Sequence, residues 1–204
     1  MLKAKIAVFV SGGGTNFEAL ISAQEKGLIP HGDICLVVSS NKNAFALERA
    51  KNHGIKSVVV SKKELGSQQA FEDEILKALR DNGIELIVLA GFMSILSADF
   101  TKQYNKRIIN VHPSLIPSFC GEGFYGLRVH EAALNYGVKV TGATVHFVNE
   151  IPDGGEIIFQ KAIEIQDGDT PEILQKRVME NAEWIILPKA AEAIAKRIVM
   201  KEGY

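Results

Sequence analysis

Four short apolar runs, each followed by a segment of helical periodicity, fill the first half of this chain, and that alternation leaves few folds open. The runs are residues 5–10, 34–38, 57–60 and 85–90. Between them, Phe17, Leu20 and Ile21, then residues 44–52, then 69–80 repeat apolar positions at helical spacing, the last two closed by Gly54 and Asn82-Gly83. Strand–helix alternation implies right-handed crossovers and parallel pairing. Runs that are apolar on consecutive residues, not alternate ones, belong in a sheet covered by helices on both faces. The predicted fold is α/β, Rossmann-like, with a mainly parallel twisted sheet.

The second half changes character. Residues 96–103 read as helix and 107–111 as a fifth strand, followed by a Gly-rich loop over 113–126 and a helix over 128–135. Residues 138–148 and 156–165 are two longer strand-like runs, which either pair antiparallel or only lie near each other. Thr170 suits an N-cap and Pro171 the first position of a C-terminal helix. Pro188 is expected to kink or divide that helix. With no repeat, low-complexity tract or linker, residues 1–204 are read as a single domain, long enough for a substantial core.

Composition excludes several function classes. A formal net charge of −1 gives no basic footprint for nucleic acid. No apolar run approaches the roughly 18 residues of a membrane span. The chain runs from Met1 directly into its first strand, leaving no room for a signal peptide, so a cytoplasmic location is expected. Cys35 and Cys120 alone cannot build a four-ligand zinc site, and Asp167-Gly168-Asp169 lacks further oxygen ligands, so no metal is expected.

Ser11-Gly12-Gly13-Gly14-Thr15-Asn16 lies between the first strand and the first helix. Consecutive glycines let a ligand approach the backbone, and the helix N-terminus behind them suits a phosphate. Thr15 and Glu18 also fit a capping box. Neither a P-loop nor a dinucleotide fingerprint matches, because Gly-Lys-Ser/Thr is missing and Phe17 stands where a small residue is wanted. A monophosphate site at the carboxyl edge of the sheet is the functional reading.

Asn110-Val111-His112-Pro113-Ser114-Leu115-Ile116-Pro117 follows the fifth strand. Alternation turns Asn110 and His112 to the same side, and Pro113 keeps His112 extended. The pair offers a neutral donor beside a titratable imidazole, which suits acyl transfer. Asp153, in a Pro-Asp-Gly-Gly turn, is a candidate to lie beside His112 and raise its pKa. His146 alternates with Val145 and Phe147, so it faces the side opposite them, and it is set aside as a catalytic candidate.

These segments, with Leu89-Ala90-Gly91-Phe92-Met93, Ile95-Leu96, Val145-His146-Phe147-Val148 and Asp153-Gly154-Gly155, together resemble the phosphoribosylglycinamide formyltransferase family in order and spacing over nearly the whole chain. The resemblance implies a formyltransferase fold with antiparallel C-terminal strands in the sheet. It implies transfer of a formyl group from the co-substrate 10-formyltetrahydrofolate to the amine of glycinamide ribonucleotide, with small-molecule partners only and a monomer or homodimer. It further implies a catalytic trio of Asn110, His112 and Asp153. Gly13, Gly14, Thr15, Asn16 and Glu183 would hold the ribonucleotide. Gln68, Met93, Ser94, Ile95, Leu96, Asn110 and Val148 would hold the folate. Compared with the family pattern, one extra residue stands between Arg177 and Pro188. Ser94 and Gln68 replace basic residues found in some members. About five extra residues enlarge the loop within 120–126, a candidate lid. The competing readings are a formyltetrahydrofolate hydrolase and a non-catalytic phosphate sensor.

Overall fold

The computed structural model describes residues 2–201, so Met1 and residues 202–204 of the expected domain lie outside the described residues. Seven strands form one mixed sheet in the order β3-β2-β1-β4-β5-β6-β7. They are β1 (Ala4–Val10), β2 (Gly32–Ser39), β3 (Lys56–Val59), β4 (Leu86–Leu89), β5 (Ile108–His112), β6 (Val140–Phe147) and β7 (Ile157–Glu164). Pairing is parallel from β3 through β5 and antiparallel for β5–β6 and β6–β7. The two long runs of the second half therefore do pair.

The helices are α1 (Thr15–Glu25), α2 (Ala46–Asn52), α3 (Lys62–Leu65), α4 (Gln68–Asn82), α5 (Ala98–Gln103), α6 (Leu127–Tyr136), α7 (Pro171–Val178) and α8 (Trp184–Met200). Two apolar clusters show why the strands are apolar throughout. Ile6, Val8 and Val10 join residues of α1 and α8 in one cluster, and Ala7 and Phe9 join residues of α4 and α5 in the other. Successive side chains of one strand thus feed cores on opposite faces.

Thr170 does cap α7, accepting Ile173 N–H, with Pro171 at the helix start. Pro188 does not divide the last helix; it lies inside α8. The irregularity sits just upstream, as a π-helical turn over Met179–Glu183. Such a turn closes i→i+5 hydrogen bonds and so takes in one residue more than an α-turn. The N–H missing at Pro188 would have bonded to Trp184, whose ψ of −10° already departs from helical geometry. No helix among the described residues is long and apolar enough to cross a membrane.

Strand order fixes where a ligand can bind. The chain leaves β1 in one direction to β2 and β3, then returns to place β4 on the other side of β1. That reversal opens a crevice beyond the carboxyl ends of β1 and β4. The glycine loop leaves β1 there, residues 90–97 leave β4 there, and β5 ends beside them at His112.

Candidate active site

The glycine loop is shaped by its own conformation and by α2. Gly14 has φ +73°, and a Cβ there would lie 2.6 Å from that of Ala46, so only glycine fits. The loop carbonyls are held in place: Gly12 C=O accepts Ala46 N–H, and Gly13 C=O accepts Arg49 Nε–H at 2.9 Å. The loop N–H groups and the first turn of α1 are left facing the crevice edge, where an anion is favoured. The capping box is not formed. Gly14 is the N-cap, Thr15 directs its hydroxyl at Met179 Sδ, and Glu18 pairs with Arg49 and His53. Two basic partners draw Glu18 away from the helix start.

Asn16 and Glu183 meet across the loop, Asn16 Nδ2 donating to Glu183 Oε2 at 2.6 Å. Asn16 Oδ1 is buried and without a partner. Glu183 is buried within the π-helical turn, and burial pushes its carboxyl up to about 7 against the opposing bond from Asn16. Because the native pKa lies above that of the unfolded chain, the folded state binds more protons between about pH 4.5 and 7. Stability is therefore lost as pH rises through that window. Glu183→Gln is expected to stabilise the free protein, little below pH 4.5 and by as much as ~3 kcal/mol above pH 7. Urea unfolding at several pH values checks this; a gain independent of pH would rule it out.

The second half of the site hangs on β5. Asn110 and His112 project to the same side, as alternation predicts, and antiparallel β6 sets His146 opposite Asn110 and Thr144 opposite His112. Asn110 Nδ2 lies 3.2 Å from His146 Nε2. His146 Nδ1 lies 2.8 Å from Phe147 C=O. The carbonyl fixes a proton on Nδ1, and Nε2 stands between the Asn110 amide and the Asp153 carboxylate. Asp153 reaches both imidazoles: Oδ2 is 3.4 Å from His112 Nδ1 and Oδ1 is 3.6 Å from His146 Nε2. Sequence reasoning set His146 aside. Its signal was the alternation it shares with Thr144, but its relevance depends on a pairing that the sequence left open.

Asp153 holds φ +55°, a left-handed conformation that Asp tolerates better than most residues. Burial opposes its charge, but the hydrogen bond to His146, the His112 imidazole and Gly121 N–H at 2.9 Å outweigh burial and hold its pKa below the usual range. For His112 the balance goes the other way. Burial lowers its pKa, and the Asp153 charge and the Phe119 carbonyl only partly restore it. The sequence-based expectation of a raised pKa thus meets a larger desolvation effect. With Phe119 C=O at 2.9 Å, His112 Nε2 carries the proton and Nδ1 faces the carboxylate.

The loop after β5 supplies both of those backbone contacts. Phe119 has φ +49° and packs edge-on against Phe124 and Tyr136. Cys120 donates to Pro117 C=O, and burial and the nearby Asp153 push its thiol pKa up, so it stays a thiol.

A groove with a cavity of about 170 Å³ opens between the segment after β4 and the loop after β6. Phe92, Met93, Ile95, Leu96 and Val148 form its apolar wall; Asn110, His146 and Asp153 stand at its polar end. Ser94 also lines it, but two expected residues do not. His112 is covered by the loop after β5, through Phe119, and Gln68 lies behind the wall, bonded to Ile95 C=O. Met93 N–H donates to Ser11 Oγ at 2.9 Å, tying this wall to the glycine loop. A larger hollow of about 400 Å³ lies along α1, Arg49 and Trp184, but holds none of Asn110, His112 or Asp153. Among the described residues, no group of three or more His, Cys, Asp or Glu side chains is arranged to hold a metal.

The sequence and the fold that build this crevice recur in known proteins. The formyl transferase family profile matches residues 4–191. The trifunctional purine biosynthetic protein adenosine-3 of Gallus gallus is 44% identical over 97% of this chain; the chain spans only 19% of that protein. The chloroplastic phosphoribosylglycinamide formyltransferase of Arabidopsis thaliana is 36% identical over 98% of this chain and 68% of its own length. The solved structure of glycinamide ribonucleotide transformylase 1 from Symbiobacterium toebii superposes with a TM-score of 0.88 at 36% identity, covering 95% of this chain and 88% of that one. Sequence and fold thus lead to one conclusion: the chain belongs to the formyl transferase family, among the phosphoribosylglycinamide formyltransferases.

Proposed function

We propose that this chain, acting as one domain, transfers the formyl group of 10-formyltetrahydrofolate to the amine of 5'-phosphoribosylglycinamide. The observation that carries the reading is the placing of Asn110 and Asp153 at the polar end of an apolar groove beside the glycine loop, with His112 behind them against Asp153. The co-substrate supplies the formyl carbon. A flat bicyclic ring suits the groove between Met93–Leu96 and Val148, and the loop over 148–152 lines its other edge. The phosphate of the ribonucleotide suits the N–H groups of Gly13 and Gly14 with Thr15. Asn16 Oδ1, buried and unpartnered, suits a substrate donor, and Glu183 beside it a hydroxyl.

The roles follow from the free state. Asn110 Nδ2 and His112 Nε2 are the donors placed to hold negative charge on the formyl oxygen as the amine attacks. In the free protein Phe119 C=O takes the His112 bond, so the carbonyl must give way for the formyl oxygen to receive it. Asp153 lies at Nδ1, where a second proton on His112 would sit, and stabilises the imidazolium as the amine proton moves toward the leaving nitrogen. No covalent enzyme adduct is required, and all of these groups come from one chain.

Incubation with 10-formyltetrahydrofolate, with and without the ribonucleotide, tests this. Loss of formyl only when the amine is present is the expected result; loss without it would make the protein a hydrolase, and no turnover would leave a phosphate-binding module. Asp153→Asn is expected to lower the His112 pKa further, since the one nearby charge that raises it is gone. An NMR titration in which the His112 ring titrates as in the parent would refute the coupling.

A further inference from the structure

The wall of the groove is an irregular segment, yet it holds apolar side chains out in solvent. Met93 is 59% and Ile95 76% exposed. Keeping such a tip in one shape requires fixed points behind it, and three are visible. Phe92 is sunk against Phe9 and Phe71. Met93 N–H is held by Ser11 Oγ. The third is Glu72, an acid in the interior of α4 that is only 5% exposed.

Glu72 accepts three hydrogen bonds, two from Ser97 at the end of the segment and one from Gln68. Its Oε1 accepts Ser97 N–H at 2.6 Å and the Gln68 amide, and its Oε2 accepts the Ser97 hydroxyl at 2.6 Å. Gln68 Nε2 also donates to Ile95 C=O at 3.0 Å. Ser97 Oγ in turn accepts Phe100 N–H, capping α5. The carboxylate therefore fixes the end of the wall, its middle and the start of the next helix through one buried group. Bonds to a carboxylate are the strong kind, and this one is buried, so they hold geometry. A tip supported this way is pre-organised, so a ligand that lies on it need not bear the cost of ordering it.

We infer that Glu72, with Gln68 and Ser97, is a positioning residue for the folate co-substrate: it holds Met93–Leu96 in the shape that the ring system meets, without touching the ligand. This rests on the reading of the groove as the folate site. It also gives Gln68 a task other than pairing with the folate's acidic tail, because its amide is already engaged on two acceptors.

The test is a split between kinetic constants. Glu72→Gln is nearly isosteric but turns a donor toward Ser97. It is expected to raise KM for 10-formyltetrahydrofolate about tenfold, with kcat and KM for the ribonucleotide within about twofold of the parent. Ser97→Ala, which removes one bond only, is expected to raise the same KM about threefold and serves if Glu72→Gln does not fold. Ile95→Asp, at the exposed tip, separates the two claims. If Ile95→Asp raises the folate KM while Glu72→Gln and Ser97→Ala leave it unchanged, the positioning role fails and the groove assignment stands. If Ile95→Asp leaves it unchanged as well, the groove assignment itself fails. A fall in kcat alone, or in stability alone at unchanged KM, overturns the proposal.

Discussion

His112→Ala and Asn110→Ala are each expected to lower turnover by at least about 10²–10³-fold, the usual cost of losing one oxyanion donor in a site closed to water. The loss should fall on kcat more than on either KM, because the bond to the formyl oxygen strengthens only as charge develops there. The structure distinguishes the two variants. Removing the Asn110 amide frees His146 Nε2 but leaves the His112–Asp153 pair intact. Removing His112 also deprives the Phe119 carbonyl of its donor and leaves the Asp153 carboxylate with fewer compensating partners in a buried setting. His112→Ala should therefore lose stability as well as turnover, and Asn110→Ala mainly turnover. Steady-state rates on protein verified as folded by circular dichroism check both. Near-normal turnover in either would remove the oxyanion role from that residue.

That pair was readable in advance because its geometry is local. Asn110, Val111 and His112 are consecutive on a strand, and alternation alone puts the two polar groups on one side. The same holds for the glycine loop, whose place at the carboxyl edge of the sheet follows from a strand, glycines and a helix in sequence. The parallel half of the sheet was legible for a related reason: its strands are buried on both faces, so they lack the polar interruptions that make periods ambiguous. What could not be read was anything set by pairing across the second half. The contact of Asp153 with His112 needs β5, β6 and the loop after β6 in one register. The place of His146 needs β5 and β6 antiparallel, and the lowered His112 pKa needs the loop that buries it. Arg49 and Glu72 gave no signal at all, because a charge inside an amphipathic helix is ordinarily a solvated one. Here Arg49 reaches the Gly13 carbonyl and Glu72 turns inward to Ser97.

Gly155→Ala is expected to be nearly as damaging as losing Asp153 itself, although residue 155 has no side chain to contribute. A Cβ at Gly155 would stand 1.7 Å from the Phe147 carbonyl oxygen and 2.7 Å from its carbon. Those are backbone atoms at the end of β6, one residue beyond His146 in the strand that pairs with both β5 and β7. Phe147 N–H is also bonded to Glu156 C=O, immediately after the glycine. No rotamer change can relieve the contact, so either β6 must bend away from β5 or the 148–155 loop must lift. The loop is the weaker side. β6 is clamped between two strands, whereas the loop is largely exposed and crosses to the site chiefly through Asp153. The core should thus persist while the carboxylate leaves His112 and His146. The expected outcome is a cooperative unfolding transition still present but lower in midpoint. Turnover should fall by about 10²-fold or more, on the scale of a lost group that holds a catalytic base in position, and the His112 ring should titrate below its value in the parent protein. If Gly155→Ala keeps both the parent rate and the parent titration, the loop does not reach the site through that close approach, and the link from Asp153 to His112 loses its structural basis.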